Sequence, residues 1–159
     1  MLTNQEYFTV ELASEITLGI PLDEMVTVAQ FERANICTVP GVTDFWHGVA
    51  NFKGSLLWIL DSDRFFELQP QSGRLRPKLT AVVIKNKQLG DRKQVAIATQ
   101  NLKGIVTLES SLPSSDRVYP QLDRCCSAVG LTEGGQTIYI LDSAVLLKQL
   151  HQRSTLVST

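Results

Sequence analysis

A chain of 159 residues, 43% hydrophobic and 19% charged, is long enough for one domain or for two small subdomains that share a core. Its net charge of −1 leaves no basic excess to offset a phosphate backbone, which excludes general nucleic-acid binding. Its three cysteines, Cys37, Cys125 and Cys126, and its two distant histidines, His47 and His151, lack C-x-x-C or ligand spacing, so no metal site or cofactor is expected and the thiols read as buried hydrophobes in a reducing compartment.

The opening residues Met1 to Glu6 have no basic stretch followed by an apolar run, and nowhere does the chain reach the roughly 20 apolar residues of a membrane helix, so a cytoplasmic protein is expected. Tyr7 to Leu12 alternates with period two, placing Phe8, Val10 and Leu12 on one face of a strand. Ile16 to Ile20 repeats the pattern after Ser14-Glu15, which suggests a hairpin that Pro21 ends. Leu22 to Met25 suits a short helical turn, and Val26 to Phe31 returns to strand. From Val39 comes a Pro turn, the aromatics Phe45 and Trp46, a Gly48–Gly54 loop and an apolar strand, Ser55 to Leu60, that suggests burial on both faces. Asp61-Ser62-Asp63 stops that strand, a helical turn follows over Arg64 to Leu68, and a polar loop fills Gln69 to Lys78, whose basic run Arg74 to Lys78 reads as solvated linker.

Strands are expected over Leu79–Lys85, Gln94–Thr99, Gly104–Leu108, Ser127–Leu131 and Thr137–Asp142, the last two joined by a Gly134-Gly135 hairpin turn. Asn86 to Arg92 and Ser110 to Pro120 read as connections. Ser143 is placed to cap a C-terminal helix, 143–152, whose Val145, Leu146, Leu147 and Leu150 keep helical spacing, with a frayed tail after it. Short strands with turn signals between them argue for small closed β-barrels rather than βαβ units.

Pro40, Phe45, Gly48-Val49-Ala50-Asn51-Phe52-Lys53-Gly54 and Ile59-Leu60-Asp61, followed later by Gly130, Gly134-Gly135, Ile138 to Asp142 and Leu146-Leu147, resemble in order and spacing the two signatures of the CheW-like chemotaxis coupling family. The resemblance runs from Tyr7 to Leu150 and marks a divergent member. It implies an all-β fold: two five-stranded SH3-like β-barrels sharing a core, with short helical turns and a C-terminal helix. Residues 1–159 would form one domain. Its first barrel would come mostly from about 26–85, and its second from the N-terminal strands and 86–142.

The resemblance further implies a scaffold that is not an enzyme and that couples a methyl-accepting chemoreceptor tip to the regulatory domain of a CheA-type histidine kinase. The pathway would be a two-component one for chemotaxis, phototaxis or twitching motility, and the protein would reach membrane receptor arrays through its partners. The partner-binding candidates are Phe45, Gly48, Val49, Asn51, Lys53 and Gly54. A loop with two glycines, an amide and one cation presents backbone and charge to a partner, and Lys53 is the best single contact. Gly48 and Gly54 also satisfy tight turns, and Asn51 suits a bond to its own loop. Of Phe45 and Trp46, one should face inward and the other anchor a partner, whereas Trp58 belongs to the core.

Three positions depart from the family pattern. Lys53 stands for its Arg, Thr27 for a frequent Glu, and Gln100 for a common Asp. The first two departures are linked, since Lys does without the bidentate acid that Arg prefers. Two rival readings remain. One is a small-molecule sensor using the groove between barrels, although the chain has no phosphate-cradling Gly-Lys loop. The other is a hydrolase built on Asp61 and Asp63, which serve more simply as strand-end and cap residues. His47 lacks a Ser or Cys partner for nucleophilic chemistry.

Overall fold

The computed structural model describes residues 5–69, 76–86, 94–108, 111–112, 119–132 and 134–155. Residues 70–75, 87–93 and 113–118 of the expected loops, Glu133 of the hairpin turn and the end of the tail lie outside the described residues.

Two sheets carry the chain. The first contains β3 (Met25–Glu32), β4 (Trp46–Phe52), β5 (Ser55–Leu60), β6 (Lys78–Lys85) and β7 (Gln94–Thr99), in the order β3-β6-β7-β5-β4. Just after β3, Cys37 bridges to Val49 on the outer edge of β4, with N–H to carbonyl distances of 2.8 and 2.9 Å, so the sheet curls toward closure. The second contains β1 (Gln5–Glu11), β2 (Thr17–Pro21), β8 (Asn101–Leu108), β9 (Ser111–Leu112), β10 (Cys126–Leu131) and β11 (Thr137–Leu141), in the order β8-β1-β2-β11-β10-β9. Its two end strands, β8 and β9, are consecutive in the chain. One stretch therefore pairs with both β1 and β10, and five long strands make a ring. This is the expected pair of small five-stranded units, and closure removes the free edges on which sheets aggregate.

Alternation along the central strands explains how both of their faces are buried. In β6, Leu79, Ala81 and Val83 point into the first barrel, while Val82 and Ile84 enter the core between barrels. In β7, Ala96 and Ala98 point inward and Val95 and Ile97 outward. The second barrel repeats the scheme: Ile138 and Ile140 of β11 meet Tyr7 and Leu108 inside, and Tyr139 and Leu141 join the shared core. Inside the first barrel Ala50, Ala81, Ala96 and Ala98 interleave with Phe31, Leu57, Ile59, Leu79 and Val83, and Val82, Ile84, Val95 and Ile97 fill the space between barrels. Phe65, Phe66, Leu146 and Leu150 complete the shared core.

Four expectations change. Strand β7, expected in the second barrel with residues 86–142, pairs with β5 and β6 of the first. The change of barrel falls not near residue 86 but just after β7, at Gln100. The Gly48–Gly54 loop is instead β4 with a two-residue turn, because Gly48, Ala50 and Phe52 alternate inward against Val49 and Asn51. Lys53 and Gly54 have φ of 52° and 83°, the pair of positive values that a type I′ hairpin turn needs. Within the expected 110–120 loop, β9 adds a two-residue pairing, and Pro120 opens a short helix, α2 (Pro120–Arg124), at its first position. Finally, Ser143 does not cap the C-terminal helix α3 (Ser143–Thr155). The Asp142 carboxylate accepts from the Val145 N–H at 3.2 Å, while the Ser143 hydroxyl is buried and accepts from the Asn86 amide at 2.9 Å.

Gly130 of β10 faces Leu108, and a Cβ there would lie 2.3 Å from its Cδ1. Gly130→Ala is expected to cost about 1–3 kcal/mol by overpacking, read as a lower urea midpoint at constant m-value. In Gly130→Ala/Leu108→Val the two losses should sum to more than the loss of the pair.

Candidate partner-binding surfaces

The hairpin β4–β5 sorts the sequence signature by face. Phe45 precedes it at 2% exposure, edge-on to Phe65 at 5.1 Å, and its carbonyl accepts from the Asp61 N–H. Gly48 is buried with φ of 138°, and a Cβ there would lie 2.2 Å from the Cys37 carbonyl oxygen. These two candidates build the barrel. Any side chain at Gly48 would push the closing segment off β4.

The outward positions remain available. Val49 is half-buried. Asn51 is exposed, and its Oδ1 accepts from the Gly54 N–H at 3.0 Å, which holds the turn shut. Lys53 is exposed at the tip, with Nζ 5.3 Å from the Phe52 ring centroid, and Phe52 leans on Phe31 of β3 at 6.3 Å. Directly across from Asn51 lies Leu56, 75% exposed. Leu56 was not among the sequence candidates, because the apolar run from Leu56 to Leu60 concealed its alternation. Leu57 and Ile59 point inward, and Leu56 and Trp58 outward. Trp58 is half-buried and rests on Trp46 at 5.3 Å, so the apolar face runs out from the shared core and ends uncovered at Leu56. Of the two adjacent aromatics, Phe45 is the inward one, and Trp46 lies half-buried against Trp58.

A second apolar face lies on the other barrel. Phe8 and Val10 of β1 pair with Ile105 and Leu102 of β8. Val10 is fully buried in the shared core and Phe8 leans on it, whereas Ile105 is 60% and Leu102 43% exposed. The core between barrels thus continues to the surface along β1 and β8. From the first barrel, Met25 and Val28 of β3 also pack against that core.

The acidic positions have structural partners. Asp61 caps the short helix α1 (Ser62–Phe65) by accepting from the Arg64 N–H at 3.1 Å. Ser62 donates to the Ala98 carbonyl at 2.6 Å, and Asp63 accepts from the Ala13 N–H at 2.8 Å. Burial pushes the Cys125 thiol up to about 12 and the Cys126 thiol up as well, so neither is a ready nucleophile. Among the described residues, no cluster of His, Cys, Asp and Glu could hold a metal, and no helix is long and apolar enough to cross a membrane.

The profile of the CheW-like domain matches residues 6–151. The chain belongs to the CheW-like domain family. The crystal structure of the scaffolding protein TtCheW from Thermoanaerobacter tengcongensis superposes with a TM-score of 0.71 at 13% identity, covering 88% of this chain and 90% of that one. No curated protein matches the chain in sequence. The CheW-like fold thus accounts for the two joined barrels, and the residues that fill its signatures are those the hairpin sorts inward and outward.

His47 of this CheW-like domain lies in β4, near the foot of the hairpin. It is half-buried, its Nε2 3.8 Å from the Asp61 carboxylate, a spacing longer than a hydrogen bond. Burial lowers its pKa below the usual 6.5. Asp61 and Asp63 oppose that shift, while Arg33 and Arg64 add to it. Folding therefore favours the neutral ring. The associated stability is present above about pH 6.5 and is lost as pH falls through the folded-state value. Urea midpoints should drop more for wild type than for His47→Gln between about pH 7.5 and about pH 5. Glu24, whose carboxyl burial pushes up, works in the opposite sense and is common to both proteins.

Proposed function

We propose that this protein is a non-enzymatic scaffold that couples a chemoreceptor tip to the regulatory domain of a CheA-type histidine kinase. The observation that carries the reading is the pair of uncovered apolar faces, one on each barrel and both continuous with the shared core. A molecule that must hold two proteins at once needs two such faces, and large exposed apolar side chains on a closed barrel mark interaction sites.

The first barrel offers the hairpin face of Val49, Asn51, Leu56 and the Lys53-Gly54 tip to the kinase regulatory domain. Leu56 supplies apolar area, and Lys53 adds a charge that favours an acidic neighbour and steers approach. The second barrel offers Leu102 and Ile105 beside Phe8 to a helical receptor tip. An amphipathic helix would lay its apolar stripe there, with anchors at helical spacing. Binding both partners turns their encounter into an intramolecular event and holds the kinase in register with the receptor.

No covalent chemistry is required, and the work of the molecule is co-localisation. Membrane arrays would recruit it through the receptor. With Lys53, Thr27 and Gln100 in place of the family's more frequent residues, its partners would belong to a chemosensory pathway parallel to the main chemotaxis system, such as one for phototaxis or twitching motility.

Titration calorimetry with a purified CheA-type regulatory domain and a receptor-tip helical hairpin tests the assignment. Lys53→Glu/Leu56→Asp should weaken kinase binding by about tenfold or more and leave receptor binding intact. Leu102→Asp/Ile105→Asp should do the reverse. Equal affinities of both variants for both partners would overturn it.

A further inference from the structure

The barrels meet through apolar contacts in the middle, through the buried Asn86–Ser143 bond, and through a polar strap at one side. The strap is centred on Asp63 of α1, in the first barrel. Its Oδ1 accepts from the Ala13 N–H at 2.8 Å, in the β1–β2 turn of the second barrel. Its Oδ2 accepts from the Gln100 Nε2 at 2.7 Å. Gln100 is the single residue between β7 and β8, where the chain passes from one barrel to the other. Its N–H donates to the Glu11 carbonyl at 2.8 Å, and its own carbonyl accepts from Arg76 at 3.2 Å. The Ser14 hydroxyl accepts from the Gln69 N–H at 3.3 Å, a second tie across the same junction.

The turn that carries Ala13 is strained. Ser14 and Glu15 have φ of 61° and 58°, left-handed values that are unfavourable for residues with a side chain. Such conformations persist where surrounding contacts impose them, and here the strap acts together with the turn's own Leu12 N–H to Ile16 carbonyl bond and the burial of Leu12, Ala13 and Ile16. Apolar burial between the barrels is non-directional and tolerates small sliding, whereas hydrogen bonds fix direction. The strap therefore adds a directional constraint on the angle between barrels. Opening it would break these hydrogen bonds and release the turn strain, effects of opposite sign that partly offset each other.

We propose that the Asp63–Gln100 strap is a latch that sets the inter-barrel angle and couples occupancy of the hairpin face to occupancy of the β1–β8 face. The proposal rests on the two-surface scaffold reading above. Phe8 on the β1–β8 face packs against the same core as Met25 and Val28 of the first barrel, so the affinity of a helix docked on that face would depend on that angle. A ligand that favours one angle shifts the population seen by the other. Position 100 is the natural control point. Its amide donates to Asp63, whereas a carboxylate there would oppose another carboxylate.

Two measurements decide the matter. Spin labels at Gln30→Cys on β3 and Thr107→Cys on β8, in a Cys37→Ser background, report the distance between barrels by pulsed electron resonance. Wild type should give one narrow distribution. Gln100→Glu and the milder Gln100→Ala should broaden or shift it, and identical distributions in all three would overturn the latch.

The second measurement is the affinity for the kinase regulatory domain with and without saturating receptor-tip hairpin. The two values should differ by about tenfold in wild type and by less than about twofold in Gln100→Glu. A ratio unchanged by the substitution also overturns the proposal. If wild type binds neither partner, the scaffold reading falls and the label distances alone decide the latch.

Discussion

Strands β6 and β7 have almost no solvent-facing side, and the rest of the molecule follows from that constraint. Each must satisfy two cores. Ala81, Ala96 and Ala98 fit the narrow barrel interior, and Val82, Ile84, Val95 and Ile97 fill the space between barrels. A one-residue slip would drive branched side chains into the barrel and leave alanines lining a void outside it, so register is strongly specified. These strands have no room left to meet a partner. Exposed large apolar side chains therefore lie on the flanking strands, Leu56 on the β4–β5 hairpin, Leu102 and Ile105 on β8, Val26 on β3 and Leu131 on β10, and the two faces described fall on different barrels.

Much of this was legible in the amino-acid sequence. The β-rich segments, the hairpin turn near Gly134-Gly135 and the C-terminal helix follow from periodicity and turn chemistry, and the ordered signatures gave the family. Other features were hidden for specific reasons. Two glycines and an asparagine made β4 look like a loop, although Gly48 is there because the Cys37 backbone leaves no space for a Cβ. The membership of β7 could not be read from its own residues, since a strand buried on both faces looks the same in either barrel. Leu56 was hidden inside an apolar run whose alternation matters only once the barrel closes. Asp142 took the capping role because Ser143 is turned toward Asn86.

The three departures from the family pattern are also clearer in three dimensions. Lys53 rests over the Phe52 ring, and the Thr27 hydroxyl donates to the Val28 carbonyl, so each has an interaction that needs no acid–base pair. Gln100 is different in kind. Its amide bonds a carboxylate at the residue where the chain crosses back from the first barrel to the second, so a change from acid to amide at that position alters how the halves are tied together. Sequence divergence at the tip and at the crossover thus acts on separate properties, contact chemistry in one case and geometry in the other.

The indoles of Trp46 and Trp58 lie 5.3 Å apart at the foot of the hairpin, and the Arg153 guanidinium of α3 covers the neighbouring Phe45 and Phe65 rings. Chromophores held that close couple their electronic transitions, and the sign and size of the resulting near-ultraviolet circular dichroism depend on their mutual tilt. The domain therefore carries an intrinsic optical gauge at the root of one docking face and beneath the end of its last helix, and it can register a guest on that face without any added dye.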